Sequence, residues 1–234
     1  METVPYSSYF HVSDVDALFP TSVTTPMGSA VEVADGDTAF GFVYSGAAWS
    51  ESAAFRQHLQ AGMFFSAPGP ATVTGLQGFV CIRKGYRGLP IWGGPIEKLG
   101  RLKYIDGCSD TLLLAAPIKG DPCVNYLYIP PGVNQTAHTH PSVRVGCIID
   151  GAGTCELAGK TIDLIPGEVF ILPADELHSF HTAGRPLRVV IYHPDSDFGP
   201  TDEVHPMVNR TIVGAKSVAG DNEYRTKNIS EFIE

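Results

Sequence analysis

Basic residues are scarce in this chain. Sixteen Lys and Arg stand against 25 Asp and Glu, a formal charge of −9 over 234 residues. With no lysine- or arginine-rich cluster, such a chain repels a phosphate backbone, so nucleic acid is not an expected partner. Long apolar runs are missing too. The stretch "TLLLAAPI" (111–118) is far too short to cross a membrane, and no membrane association is expected. The opening "METVPYSSYFHVSD" has neither a basic head nor an apolar core, so no secretory signal is expected. Cysteines are few: Cys81, Cys108, Cys123, Cys147 and Cys155, an odd number with no CxxC pair. That usage suits reduced thiols in a cytoplasmic protein better than a disulfide framework. Only 18% of residues are charged while 44% are hydrophobic, which excludes a disordered chain and leaves ample material for a core.

Turn-formers are plentiful, with 25 Gly and 18 Pro. Short apolar stretches recur about every ten residues between them: "TVTGLQGFVCIRKG", "CVNYLYIPPG", "VRVGCIIDG", "KTIDLIPG", "EVFILPA" and "PLRVVIYHP". That rhythm predicts an all-β sandwich or barrel. Residues 30–45 read as two strands around the Asp35-Gly36 turn. Residues 1–30 read as an irregular arm, and "SESAAFRQHLQ" (50–60) reads as a Ser-capped short helix. An internal repeat is visible. Gly62 and Pro68 recur as Gly167 and Pro173, 105 residues on, and each copy precedes a β-rich run. Two tandem β-domains are therefore expected, at 1–98 and 99–200, with a turn-rich C-terminal tail at 201–234.

The chemistry concentrates in "PGVNQTAHTHPSVRVGCIIDG". Gly132 is followed by five residues, then His138, Thr139 and His140; Arg144 comes after three more residues, and Gly151 after a further six. Residues two apart on an extended strand share a face, so His138 and His140 point together. A third histidine, His178, follows the second copy of the repeat, where the first copy has Val73. Three neutral imidazoles suit Fe(II), Zn(II), Ni(II), Mn(II) or Cu(II) and leave coordination positions open.

These motifs resemble those of the cupin superfamily, well over residues 101–195 and weakly over 30–90. The family's first motif is Gly, five residues, His-x-His, three or four residues, Glu, six residues, Gly. Its second is Gly, five residues, Pro-x-Gly, two residues, His, three residues, Asn. Here Arg144 replaces the glutamate, Asp175 the second glycine and Thr182 the asparagine. The resemblance implies an all-β chain of two tandem cupin (jelly-roll) barrels, the first degenerate and without a metal site. It also implies a homodimer built through strand or arm exchange, and a divalent metal held by His138, His140 and His178.

A guanidinium cannot bind a cation. Arg144 is therefore expected either to face the cavity and clamp a small anionic substrate beside the metal, or to pair with an acid at the barrel mouth. His193 and Tyr192 end the last strand, where one of them could serve as a general acid or base; the alternative is local hydrogen bonding. His181, three residues after His178, would face the other side of a continuous strand and is expected at the surface or in the outer shell of the site. "HPDSDFGPTDEVHP" (193–206) reads as a turn-rich loop more than a second metal site. Similarity to three-histidine cupins makes Fe(II)-dependent dioxygenase chemistry the first expectation. The alternatives are a non-redox isomerase, lyase or decarboxylase using Zn, Mn or Ni, and a small-ligand or sugar-binding sensor module.

Overall fold

A computed structural model describes residues 1–201, 203–207 and 210–218. Among these the chain is built of strands and one 3-10 turn, Ile105–Gly107. In chain order the strands are β1 (Glu2–Pro5), β2 (Phe10–Val12), β3 (Thr21–Thr25), β4 (Val31–Val33), β5 (Thr38–Ser45), β6 (Ala47–Glu51), β7 (Arg56–Gln60), β8 (Phe64–Pro68), β9 (Ala71–Thr74), β10 (Gln77–Arg83) and β11 (Ile91–Gly93). They continue as β12 (Leu102–Lys103), β13 (Ser109–Leu114), β14 (Cys123–Ile129), β15 (Arg144–Gly151), β16 (Gly153–Leu157), β17 (Lys160–Leu164), β18 (Glu168–Leu172), β19 (His178–His181) and β20 (Leu187–His193), with a small ribbon β21 (Ile212–Val213) and β22 (Lys216–Ser217).

Two sandwiches result. The first packs a six-stranded sheet, ordered β11-β8-β5-β10-β3-β2, on a four-stranded sheet, β4-β9-β6-β7. The second packs a seven-stranded sheet, β1-β18-β15-β20-β14-β13-β12, on a three-stranded sheet, β17-β16-β19. The two larger sheets also pack against each other. Phe40, Phe42, Phe79 and Cys81 from the first meet Val145, Cys147, Val190 and Tyr192 from the second. These sheets are covered on both faces, which is why β5, β10, β15 and β20 read as near-continuous apolar runs and not as an alternation.

The repeat has a structural counterpart. Gly62 and Gly167 take φ of +85° and +90° and lead into β8 and β18. A Cβ on Gly146 would lie 2.2 Å from Cζ of Phe170, and one on Gly41 would lie 2.4 Å from Cζ of Phe65. Each glycine lets the ring of the neighbouring strand lie flat across it, and both members of the pair recur 105 residues apart. In the first sandwich Val31 pairs with Val73; in the second His138 pairs with His178.

Two expectations are corrected. Residues 1–30 are not irregular, since they contain β1, β2 and β3. Among them, β1 pairs with β18 of the second sandwich, with Thr3 opposite Phe170. Residues 50–60 are not helical. Ser52 accepts from the backbone N–H of Ala54 and Phe55, and this Ser turn closes the β6–β7 hairpin. Serine before a polar run looks like a helix cap, but the same side-chain bond also closes turns. The turn-rich tail expected at 201–234 lies partly outside the described residues.

Candidate metal centre

The segment before β15 runs beside β19 as an extra extended strand. Gln135 N–H donates to Phe180 O, and His138 and His178 exchange both backbone hydrogen bonds at 2.9 and 3.0 Å. The Asp175 N–H donates to His140 O at 2.7 Å. Asp175, standing where the motif has glycine, sits at φ +60°, a conformation that short polar side chains tolerate. Thr182, standing where the motif has asparagine, fixes the turn before the histidines: its hydroxyl donates to Pro130 O and accepts from Val133 N–H. The extended register points His138 and His140 the same way, and the pairing sets His178 against them.

The three rings converge. Their centroids are 4.5 Å (His138–His178), 5.0 Å (His138–His140) and 5.1 Å (His140–His178) apart, and their nearest donor nitrogens lie within 4.8 Å of one another. The Nδ1–H of His138 donates to Thr136 O at 2.8 Å, and that of His178 to Glu176 O at 2.9 Å. A backbone carbonyl accepts only, so Nδ1 carries the proton and the Nε2 lone pair is free. Burial, the Arg144 charge and its two histidine neighbours hold His140 down to about 3, and burial chiefly lowers His178 as well. Both are neutral at physiological pH, the form in which imidazole binds a metal. The residues fit a divalent ion: three donors, at least two with a fixed tautomer, and no carboxylate in the cluster.

The histidines open onto a cavity of about 460 Å³ between the two sheets of the second sandwich. Arg144 lines it from β15 and is only 8% exposed. Its Nη1 donates to Ser142 O, Ser142 Oγ and Val143 O, and lies 3.9 Å from Asp195 Oδ1. Ser142 Oγ in turn donates to Asp195. Nη1 is tied to Ser142 and Asp195, while Nε is buried without a partner. His193, on neighbouring β20, lines the same cavity, and its Nε2 is also buried and unpartnered. Burial, Arg144 and His140 push this imidazole far below its ordinary range.

Tyr192 is a correction. Strand alternation turns it to the opposite face of β20, where it is fully buried against Phe40 at 5.4 Å in the core between the sandwiches. It does not line the cavity. His181 lies at the surface with Ser179, Asn134 and Glu156. The Asp-rich loop contributes Asp195, Ser196 and Asp197 to the cavity mouth, and the described residues hold no second metal-type cluster. Sequence reasoning missed Asp110 and Asn125, adjacent on β13 and β14. Asn125 Nδ2 donates to both Asp110 oxygens at 3.2 and 3.3 Å, and both residues line the cavity. The available signal was slight: Asp110 and Leu112, two apart, share the cavity face of β13, and a register shift after Leu112 turns Leu114 to the core between the sandwiches.

Paired jelly-roll sandwiches with a three-imidazole cluster on one inner wall define a cupin-fold protein. The comparisons agree. The family model of the AraC-like ligand binding domain matches residues 129–207. A cupin 2 conserved barrel protein from Leptotrichia buccalis is similar at TM-score 0.57 and 13% identity, over 82% of this chain and 95% of that one. Oxalate decarboxylase from Bacillus subtilis, described with Mn(II) centres, is similar at TM-score 0.52 and 12% identity, over 87% and 80%. Salicylate 1,2-dioxygenase from Pseudoaminobacter salicylatoxidans, in complex with gentisate, is similar at TM-score 0.52 and 10% identity, over 74% and 68%. At these identities the likeness is one of fold. A search of curated proteins finds no match. No helix among the described residues is long and apolar enough to cross a membrane.

Proposed function

We propose that this protein is a metal-dependent enzyme acting on a small anionic molecule inside the second sandwich, with Fe(II)-dependent dioxygenase chemistry as the leading reading. One observation carries it: three convergent imidazoles and a buried arginine with a free N–H face the same cavity. His138, His140 and His178 would hold the ion. When bound, it would supply a Lewis-acidic centre and, as iron, the redox partner for O₂. Three neutral ligands leave the ion's full charge uncompensated, and Arg144 adds another positive charge. An anionic substrate is what balances such a site, and the planar guanidinium suits a carboxylate or phosphate. His193 Nε2, on the strand next to Arg144, would hydrogen-bond the substrate as a neutral imidazole.

A second reading has its own support. The match to a ligand binding domain over residues 129–207 favours a sensor that binds a small molecule without turning it over. Elemental analysis of protein purified without added metal, followed by O₂ electrode measurements across a panel of small carboxylates, tests the two. Iron with substrate-dependent O₂ uptake supports the oxygenase. Zn, Mn or Ni with turnover but no O₂ uptake replaces it with non-redox chemistry. Tight ligand binding with no turnover under any metal replaces it with the sensor. If Arg144→Ala changed neither affinity nor rate, the anion clamp would be refuted.

A further inference from the structure

We infer that the cavity is shaped for a ligand with an anionic group at one end, an apolar body, and a hydrogen-bond donor at the other end, a hydroxyl or an amine received by Asn125 Oδ1 and the Asp110 carboxylate. The inference rests on the reading of Arg144 as the anion anchor and adds the second half of the ligand.

Three buried polar atoms without partners belong to residues lining this one cavity: Arg144 Nε, His193 Nε2 and Asn125 Oδ1. Buried polar groups without partners are uncommon and costly, so three on one wall point to a missing ligand. They differ in kind. The guanidinium N–H is a donor and needs an acceptor. Asn125 is the reverse: its Nδ2 is spent on Asp110, and its Oδ1 can only accept. Asp110 is paired with no cation among the described residues, and its hydrogen bonds come from Asn125 alone. Burial raises it to about 6, so its charge is poorly compensated as it stands. An amide oxygen and a carboxylate side by side form an acceptor pair.

Register fixes where this pair lies relative to Arg144. Asn125 pairs with Ile191, Ile191 with Gly146 and Gly146 with Phe170, one row across the sheet. Arg144 stands two residues along β15 from Gly146. Two strand spacings across and two residues along separate the Cα atoms of Asn125 and Arg144 by about 12 Å. With the long Arg144 side chain reaching in, the gap suits a body the size of a phenyl ring with a short chain. Ile191 and His193 of β20 stand between them, and Leu112, Leu127, Phe170, Leu172 and Phe180 add apolar surface around the cavity.

Calorimetric titration of the full chain loaded with Zn(II) tests this, using 3-phenylpropanoate, 3-(4-hydroxyphenyl)propanoate and 3-[4-(aminomethyl)phenyl]propanoate. The hydroxyl acid or the amino acid is expected to bind about tenfold tighter than the parent, the effect of one satisfied buried acceptor. Whichever gains more identifies the donor as neutral or cationic. Asn125→Leu should reduce that preference to about unity. Asp110→Asn, which keeps the side-chain shape, should remove the amine's advantage even if the leucine variant folds poorly. Arg144→Met should weaken all three acids alike. A parent acid that binds through Arg144 but gains nothing from either donor overturns this inference alone. Binding indifferent to Arg144→Met overturns the anion-anchor reading beneath it, and no binding by any of the three overturns both.

Discussion

Asp110→Asn should make the metal-free protein more stable at neutral pH, even though it removes a charged hydrogen-bond acceptor. Burial raises this carboxyl from 3.8 to about 6, while the Asn125 amide works in the opposite direction. The folded state therefore binds the Asp110 proton more tightly than the unfolded chain does. Above pH 6 the carboxyl is ionised in both states, and the folded state bears the cost of burying the charge. As pH falls through about 6 the folded state takes up the proton and stability rises; below about 4 the unfolded state does so too and the gain levels off. A shift of about two pK units sets a ceiling near 3 kcal/mol, and partial exposure to solvent reduces this to about 1–2 kcal/mol. Asparagine keeps an oxygen for Asn125 Nδ2 and never ionises. Urea denaturation with EDTA at pH 7.5 and pH 4.0 measures the effect. The variant should gain about 1–2 kcal/mol at pH 7.5, with the difference shrinking towards zero at pH 4.0. Taking the difference between the two proteins cancels the titration of every other group not coupled to Asp110. An equal effect at both pH values, or destabilisation at pH 7.5, would refute the reasoning.

Replacing His138, His140 or His178 singly with alanine should abolish stoichiometric metal binding, read by elemental analysis after dialysis. A divalent ion at a hundred times its dissociation constant should stabilise the parent protein by about 2.7 kcal/mol in thermal melts, and none of the three variants should respond. Asp16 is buried and accepts the backbone N–H groups of Leu18, Phe19 and Val143, which ties the N-terminal segment to the start of β15. Asp16→Ala should cost about 1–3 kcal/mol in urea titrations, because it orphans the buried Val143 N–H and releases those of Leu18 and Phe19. Gly146→Ala would place a methyl 2.2 Å from the Phe170 ring and should cost about 1–3 kcal/mol. Its measurement is the urea midpoint at unchanged slope.

What the sequence disclosed follows from the range of each signal. His138, His140 and His178 are legible because their spacing is tied to local features: an extended backbone, the positive-φ Gly132 and Gly167, and one strand pairing. Arg144 was found only as a departure from a motif. Its two-sided role depends on Asp195, 51 residues away, and on a strand face that spacing alone does not fix. Tyr192 and His193 adjoin in sequence but face opposite sides of β20, and choosing between them needs to know which face of a doubly buried sheet holds the cavity. Asp110 and Asn125 meet through pairing between β13 and β14, whose partners no local pattern names. The helix expected at 50–60 failed because a serine turn and a helix cap share one hydrogen-bond signature.

The first sandwich shows what the fold requires once the site is removed. Val31 and Val73 occupy the pairing held in the second by His138 and His178, and Ala39, paired with Ala67, stands where Arg144 pairs with Leu172. All four are buried, and they join an apolar core with Phe65 and Leu76. The larger sheet of this sandwich covers the back of β15 and β20. Val145 and Cys147 anchor β15 on that side, which leaves Arg144, Gly146 and Ile148 on the face turned to the second interior. Strand alternation then links the two functions. The apolar contact with the first sandwich fixes the register and orientation of the strands that carry Arg144 and His193, and β1 extends the same sheet beyond β18. The half without the histidines is the brace that holds the other half's charged wall in place.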